Sequence, residues 1–405
     1  MKGKEIVVGI SGGIAVYKAA ELVRLLVRAD ATTRVAMTLN ATRFVTPLTF
    51  EALSGRKVIH DMWGQEGSTI DHITWGQEAD LIIIAPATAN FIAKIAHGTG
   101  DDFLSTMLIA ATARVLVCPS MNSRMFLNPA VQDNLSLLQE RGITVMSPGE
   151  GPLACRTSGP GRLPEPEEIV EQAHILLSRQ DFTGSKVLVT AGATVEPIDP
   201  VRYITNRSTG KMGYAMARAA RRRGASVTLV SGPTNLAPPY GVLFREVKRA
   251  EEMRQAVFDS SGDCDIVIKA AAVSDYRPRD RAIHKIKKGA ESLSLELVKN
   301  PDILAQLGEA KKKSPCFLVG FAAETEDLLA NARAKLRAKN LDMIVANDVS
   351  RDDAGFEADT NIVRMVYGDG HVEDSPLMKK DEVADLILDR VKALREGHIG
   401  SGKGN

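Results

Sequence analysis

Cysteine is scarce in this chain: its 405 residues hold four, Cys118, Cys155, Cys264 and Cys316, far apart and without a Cys-x-x-Cys pair. That spacing excludes a disulfide framework and a thiolate zinc site, and it suits free thiols in a reducing compartment. Charge of one sign is also missing, because 51 Lys and Arg face 50 Asp and Glu, a formal net charge of +1. The broad basic footprint that nucleic acid or an anionic membrane demands is therefore absent, and any phosphate binding has to be local. The opening segment MKGKEIVVGISGG has an apolar run too short and too β-branched for a signal peptide or a membrane span. A cytoplasmic protein with neither nucleic acid nor membrane as partner is expected.

Hydrophobic residues, by contrast, make up 44% of the chain. Its length exceeds what one core supports, so two domains of roughly 200 residues are expected. Strand-like runs EIVVGI (5–10), TRVAMTL (33–39), LIIIAP (81–86) and RVLVCPS (114–120) alternate with amphipathic stretches. The pattern restarts at KVLVTAG (186–192) and continues through SVTLVSG (226–232), CDIVIKAAAV (264–273), CFLVGFAAE (316–324) and DMIVAND (342–348). Such alternation predicts an α/β fold of two doubly wound, Rossmann-like domains, each a parallel sheet covered on both faces. Between them lie a Pro/Gly-rich entry, one helix carrying Ile169, Ile175 and Leu176, and a small-residue exit, which places the boundary near Thr183 to Ser185 and the domains at 1–184 and 185–405. A last helix is expected from Lys379 to Glu396, and the tail GHIGSGKGN has too few apolar groups to offset its ordering entropy.

In the first half, GISGG puts a small-residue turn between a buried strand and a helix, so that backbone N–H groups of Ser11, Gly12 and Gly13 can approach a phosphate; the same glycines also suit a tight turn that binds nothing. APATANF (85–91) and CPSMNSRM (118–125) follow later strands, where open α/β sheets place ligand-binding loops. His72, Pro86-Ala-Thr-Ala-Asn90 and Pro119-Ser-Met-Asn-Ser-Arg-Met125 resemble the signatures of the flavin-containing cysteine decarboxylase family, and ACRTSGPGR (154–162) looks like the cysteine-bearing flap of phosphopantothenoylcysteine decarboxylases. The resemblance implies a flavodoxin-like domain with FMN as cofactor, held by Ser11, Gly12, Gly13, Pro86, Ala87, Thr88, Asn90, Ser120 and Met121. Decarboxylating a cysteinyl carboxylate leaves a carbanion that needs an electron sink, which FMN supplies. The same resemblance assigns Cys155 as proton donor, Asn122 as the amide holding the substrate, and His72 as a polar group near the thiol. Met125 and Phe126 read as an apolar pair closing the core or a subunit contact.

In the second half, RYITNRSTGKMGYAMARAARRRG sets Asn206 and its neighbours just before a helix, a phosphate-binding arrangement. It is not a Walker A loop, since Thr205 replaces the required Gly and Met212 the required Ser or Thr. Together with AGATVEPIDP (191–200), AAAVSDYRP (270–278), KIKK (285–288), NPDI (300–303) and GFAAET (320–325), it resembles phosphopantothenate–cysteine ligase. The resemblance implies a CTP-dependent reaction of 4'-phosphopantothenate with L-cysteine through an acyl-cytidylate, with Mg2+ beside the nucleotide and no metal ligands assigned. It gives Lys285 to acyl-cytidylate formation and Asn206 to its conversion, and it places Ala271, Asp275, Asn300, Pro301, Asp302, Ile303, Phe321, Lys335 and Lys339 around CTP. On their own, KIKK reads equally as a solvated face, and Lys335 with Lys339 as an exposed helix stripe. Where many relatives read Ala-Gly-Pro-Thr, this chain has Ala191-Gly-Ala-Thr194. The two resemblances together imply a bifunctional enzyme of coenzyme A biosynthesis, assembled as a homo-oligomer, a dodecamer of decarboxylase trimers and ligase dimers. Two rivals remain: a flavin-binding module without activity, and a nicotinamide-dependent Rossmann oxidoreductase, which GISGGIAVYK disfavours by lacking G-x-G-x-x-G spacing.

Overall fold

A computed structural model describes residues 1–63, 70–152, 158–287, 293–324, 327–348 and 357–397. The chain divides into two compact units, Met1–Ser178 and Arg179–Asn405.

The first unit is built on a five-stranded parallel sheet: β1 (Glu5–Ile10), β2 (Thr32–Met37), β3 (Leu81–Ala87), β4 (Arg114–Pro119) and β5 (Thr144–Val145), in the order β2-β1-β3-β4-β5. That is the flavodoxin-like order, in which the strand sequence reverses between β1 and β3. All seven residues of β3 are buried, as a central strand covered on both faces requires. A hairpin of Gly149–Pro152 against Ser158–Arg162 follows, and the helix Pro166–Leu177 buries Ile169 and Ile175.

The second unit carries an eight-stranded sheet: β6 (Lys186–Ala191), β7 (Ser226–Ser231), β8 (Leu243–Glu246), β9 (Ile266–Lys269), β10 (Phe317–Glu324), β11 (Met343–Asp348), β12 (Val363–Tyr367) and β13 (Val372–Asp374). Their order is β8-β7-β6-β9-β10-β11-β12-β13, parallel except for the last two pairings. The first six strands thus follow the Rossmann order, with its reversal between β6 and β9. Alternate residues feed two cores. Ile266, Ile268 and Val319 face the helices Lys211–Arg222 and Lys380–Arg395, while Val267, Leu318 and Ile344 face Ile303–Ala310 and Leu328–Ala338. Among the described residues no helix is long and apolar enough to cross a membrane.

The unit boundary falls a few residues ahead of the expected 184/185, and a buried charge explains why. Arg223, with a side chain only 3% exposed, pairs with Asp181 at 2.5 Å and Asp389 at 2.8 Å and lies over the Phe182 ring, 4.8 Å from its centroid. Residues 181 and 182 are therefore part of the second core, in which Phe182 is buried. Burial works against ionisation of Asp181, yet the Arg223 guanidinium outweighs it and holds the carboxyl below its usual range. Arg223→Ala would leave half-buried Asp181 with only the longer Lys392 contact at 3.5 Å, and a loss of about 1.5–3 kcal/mol in urea denaturation of the full chain is expected.

Candidate functional sites

In the first unit the loops after β1, β3 and β4 meet at the sheet's carboxyl edge. Ser11, 2% exposed, ties two of them together: its hydroxyl donates to the Pro86 carbonyl at 2.8 Å and accepts from the Thr88 N–H at 2.9 Å. Gly12 is required by packing, because a Cβ there would stand 2.7 Å from the Asn40 carbonyl carbon. Gly13 is different, since its nearest neighbour would be Thr88 Cγ2 at 3.5 Å. The third loop is fixed by the Met121 N–H, which donates to the Gly161 carbonyl at 2.9 Å.

These loops border a cavity of about 630 Å³. Of the residues expected from sequence, Gly13, Thr88, Ser120, Met121 and Asn122 line it. Ser11, Gly12, Pro86 and Ala87 form the frame behind, Asn90 is exposed on the helix Ala89–His97, and His72, half-buried on the helix Asp71–Glu78, is not part of this wall. Cys155 lies outside the described residues. Sequence reading passed over Ile14, Tyr17, Lys18, Gly161 and Arg162 as wall residues, and it left out Met125 as an apolar contact. The one available signal was position, since all fall within a few residues of the motifs.

The residues present fit a flavin mononucleotide. The helix Val16–Arg28 starts at the cavity with no side-chain cap and no acidic residue in its first turn, leaving its positive end for a phosphate. Ile14, Tyr17, Met121, Met125 and Leu163 supply apolar wall for a ring system, and the volume lies in the usual range for cofactor sites. Cys118 is fully buried beneath, and burial pushes its thiol well up, so it is a packing group rather than a nucleophile. Cys118, Cys264 and Cys316 are free thiols.

In the second unit a cavity of about 480 Å³ opens along β9, β10 and β11 at their carboxyl side, beside the start of the helix Lys211–Arg222. Asn206, Ala271, Asp275, Asn300, Pro301, Asp302, Ile303, Phe321, Lys335 and Lys339 all line it, so every ligase residue expected from sequence except Lys285 converges on one cleft. Asn300 locks two of its loops: its side chain donates to the Ser274 carbonyl at 2.8 Å and accepts from Arg277 at 2.9 Å, while its N–H donates to the Asp275 carbonyl at 2.7 Å. Asp302 caps the helix Ile303–Ala310 by accepting from the Ala305 N–H at 3.0 Å, and it pairs with Lys339 at 2.8 Å. Burial raises its carboxyl pKa, but the bonds from Lys339 and Ala305 outweigh that and keep it low. Asn206 reaches across from the start of the helix Lys211–Arg222 to donate to the Ala272 carbonyl at 3.2 Å.

Lys285 is exposed and stands apart from this wall, and Lys288 lies outside the described residues. Its neighbour is tethered, however. The Ile286 N–H donates to Asp199 at 3.2 Å and its carbonyl accepts from Arg202 at 2.6 Å. Two lysines of the cleft that sequence reading missed are Lys269 and Lys380, whereas Lys211 and Ser274, also in the wall, belong to the segments 206–213 and 270–278 that it singled out. Lys269 carried a usable signal: a charged residue ending the apolar run IVIK and followed by small residues.

Comparison with known proteins covers both halves. Residues 1–177 match the Flavoprotein family, and residues 182–394 match the DNA/pantothenate metabolism flavoprotein C-terminal domain. The coenzyme A biosynthesis bifunctional protein CoaBC of Bacillus subtilis (strain 168) is 49% identical over 399 residues, spanning 97% of this chain and 98% of its own. Its Escherichia coli (strain K12) counterpart is 45% identical over 396 residues, spanning 96% and 97%. A crystal structure of the C-terminal domain of CoaBC is 45% identical, covers 54% of this chain and 100% of that one, and superposes with a TM-score of 0.46. With both family matches in place and relatives of nearly the same length aligned end to end, the chain belongs to the family of coenzyme A biosynthesis bifunctional proteins.

Proposed function

We propose that the second unit joins 4'-phosphopantothenate to L-cysteine at the expense of CTP, and that the first unit decarboxylates the product to 4'-phosphopantetheine. The observation that carries this reading is the presence of two separate clefts, each at its own sheet's reversal point. One is lined by Asn122 and the flavin-fitting loops, the other by all but one of the ligase residues.

In the first cleft FMN, when bound, supplies the electron sink for loss of CO2. Asn122 holds the substrate carboxylate through its amide nitrogen, a geometry fixed because its Oδ1 accepts from the Arg124 N–H at 2.8 Å as the cap of the helix Ser123–Phe126. Cys155, outside the described residues, is the proton donor. His72 reaches the reacting thiol from a second copy of the chain. Supporting that assembly, Ile14, Tyr17 and Met125 leave 63%, 62% and 49% of their surface exposed at the cavity's rim. Decarboxylase trimers and ligase dimers close into a dodecamer in the cytoplasm.

In the second cleft a carboxylate must attack a polyanion, so cations are required. Lys285 supports formation of the acyl-cytidylate, and Lys335 and Lys339 hold CTP. Asn206, set over the Ala272 carbonyl, presents the activated acyl group to the amine of cysteine. Among the described residues no three His, Cys, Asp or Glu side chains gather as a metal cage. Magnesium, when present, would offset the charge of the nucleotide's phosphates beside these lysines.

The test is one assay with 4'-phosphopantothenate, cysteine and either CTP or ATP, following pyrophosphate and CO2 separately, on protein whose visible absorbance has been recorded. Yellow protein that releases pyrophosphate from CTP and then CO2 is expected. Colourless protein that takes up no FMN and leaves CTP intact overturns the reading, and reduction of a nicotinamide instead would restore the oxidoreductase rival.

A further inference from the structure

Lys269 ends β9, all four residues of which are buried, and it keeps 9% of its surface. Strand alternation puts it on the face of Val267, toward the helices Ile303–Ala310 and Leu328–Ala338. Its ammonium has three donors and uses one, to the Ala271 carbonyl at 3.0 Å. Among the described residues no carboxylate pairs with it, because Asp302 is taken by Lys339. Burial and the like charge of Lys339 press its pKa down to about 8, against the opposing pull of Asp302 and Asp275.

A second buried group on the same strip has unmet capacity. Ser274, 4% exposed, lines the cleft with its Oγ lacking any hydrogen-bond partner, although its N–H is held by Thr194 at 3.0 Å. Buried polar groups are satisfied in native proteins, by protein, water or ligand. Two such groups on residues 269–275, at the carboxyl edge where the strand order reverses, mark the place where a polar ligand completes the structure.

We propose that Lys269 is a further binding residue of the ligase cleft, donating to an anionic phosphate oxygen of a substrate seated between residues 270–275 and the turn 300–303. The inference rests on the ligase reading above. The nucleotide and the phosphorylated acid both carry such an oxygen, and the ammonium of Lys269 recognises that shared chemistry.

The experiment is calorimetric titration of the full chain, wild type and Lys269→Met, with CTP and with 4'-phosphopantothenate in separate runs at pH 7 and pH 9. Methionine keeps the apolar stem and removes the charge. One of the two ligands is expected to bind about ten- to a hundredfold more weakly to the variant at pH 7. For that ligand the wild type should lose affinity between pH 7 and 9, as the ammonium facing Lys339, Asp302 and Asp275 is neutralised, and Lys269→Met should lose much less. Lys269→Arg, which keeps the charge, should restore most of the affinity. Affinities of Lys269→Met within twofold of wild type for both ligands overturn the inference, as does failure of Lys269→Arg to rescue. If the wild type binds neither ligand, it is the ligase reading itself that fails.

Discussion

Gly161→Ala should give protein that purifies without its yellow colour and releases little CO2, while its pyrophosphate release from CTP stays at the wild-type level. Gly161 has φ +138°, a region that L side chains rarely adopt, and a Cβ there would stand 2.2 Å from the Met121 carbonyl oxygen. Backbone strain of that kind costs on the order of 1–3 kcal/mol, and the overlap is with backbone rather than with a flexible side-chain end, so the strand Ser158–Arg162 must move away from Met121. That shift breaks the Met121 N–H bond to the Gly161 carbonyl and carries Met121 and Asn122 out of the cavity wall. About ten- to a hundredfold weaker flavin binding follows, measured by titrating apoprotein with FMN. Gly98→Ala is the control: Gly98 has φ +69° but nothing within 4 Å of its Cβ position, so it should lose stability without losing flavin. Stoichiometric flavin and unchanged CO2 release in Gly161→Ala would show that the hairpin is not part of the site.

Glycine 161 also marks where sequence reading stops. The order of elements was legible because buried parallel strands are continuous apolar runs, and each of the nine runs singled out overlaps a strand. The shorter strands β5, β8, β12 and β13 were not, since two to five residues carry no period. Ser11 and Gly12 were read for their backbone N–H groups, and the sequence could not show that the hydroxyl of one bonds to Pro86 and Thr88 or that the missing Cβ of the other lets Asn40 pass. Both are local motifs whose partners are distant in sequence, so no window could show what they touch. The division between units lies a few residues earlier than expected for the same reason, as Asp181 is claimed by Arg223 and Lys392. Conversely, the ligase cleft was nearly complete from motifs alone, because its residues sit at the ends of β9 and β10 and at helix starts, where topology must bring them together.

Lys285 is the exception in that cleft, and its substitution should have the largest effect on ligation. Lys285→Gln is expected to cut pyrophosphate release from CTP by about a hundredfold or more, the scale seen when one preorganised donor to developing charge is removed. Decarboxylation of supplied 4'-phosphopantothenoylcysteine should be unchanged, because the first cleft is built wholly from residues of the first unit. The structure gives the segment a hinge-like anchor rather than a place in the wall. Asp199, its side chain fully buried, accepts from the N–H groups of Val201, Arg202 and Ile286. Burial pushes its carboxyl pKa up, but those three donors and the Arg202 guanidinium win and hold it low. The anchor's strength is therefore present above the usual carboxylate range and fades as pH falls through the lowered value, so the KM for CTP should rise only once the pH drops below that range. Asp199→Ala frees the segment without touching the lysine, and should raise the KM for CTP more than it lowers kcat, whereas Lys285→Gln should do the reverse. Pyrophosphate release by Lys285→Gln within twofold of wild type would return Lys285 to the solvated face that its exposure suggests, and loss of both activities would mean that the two units do not work independently.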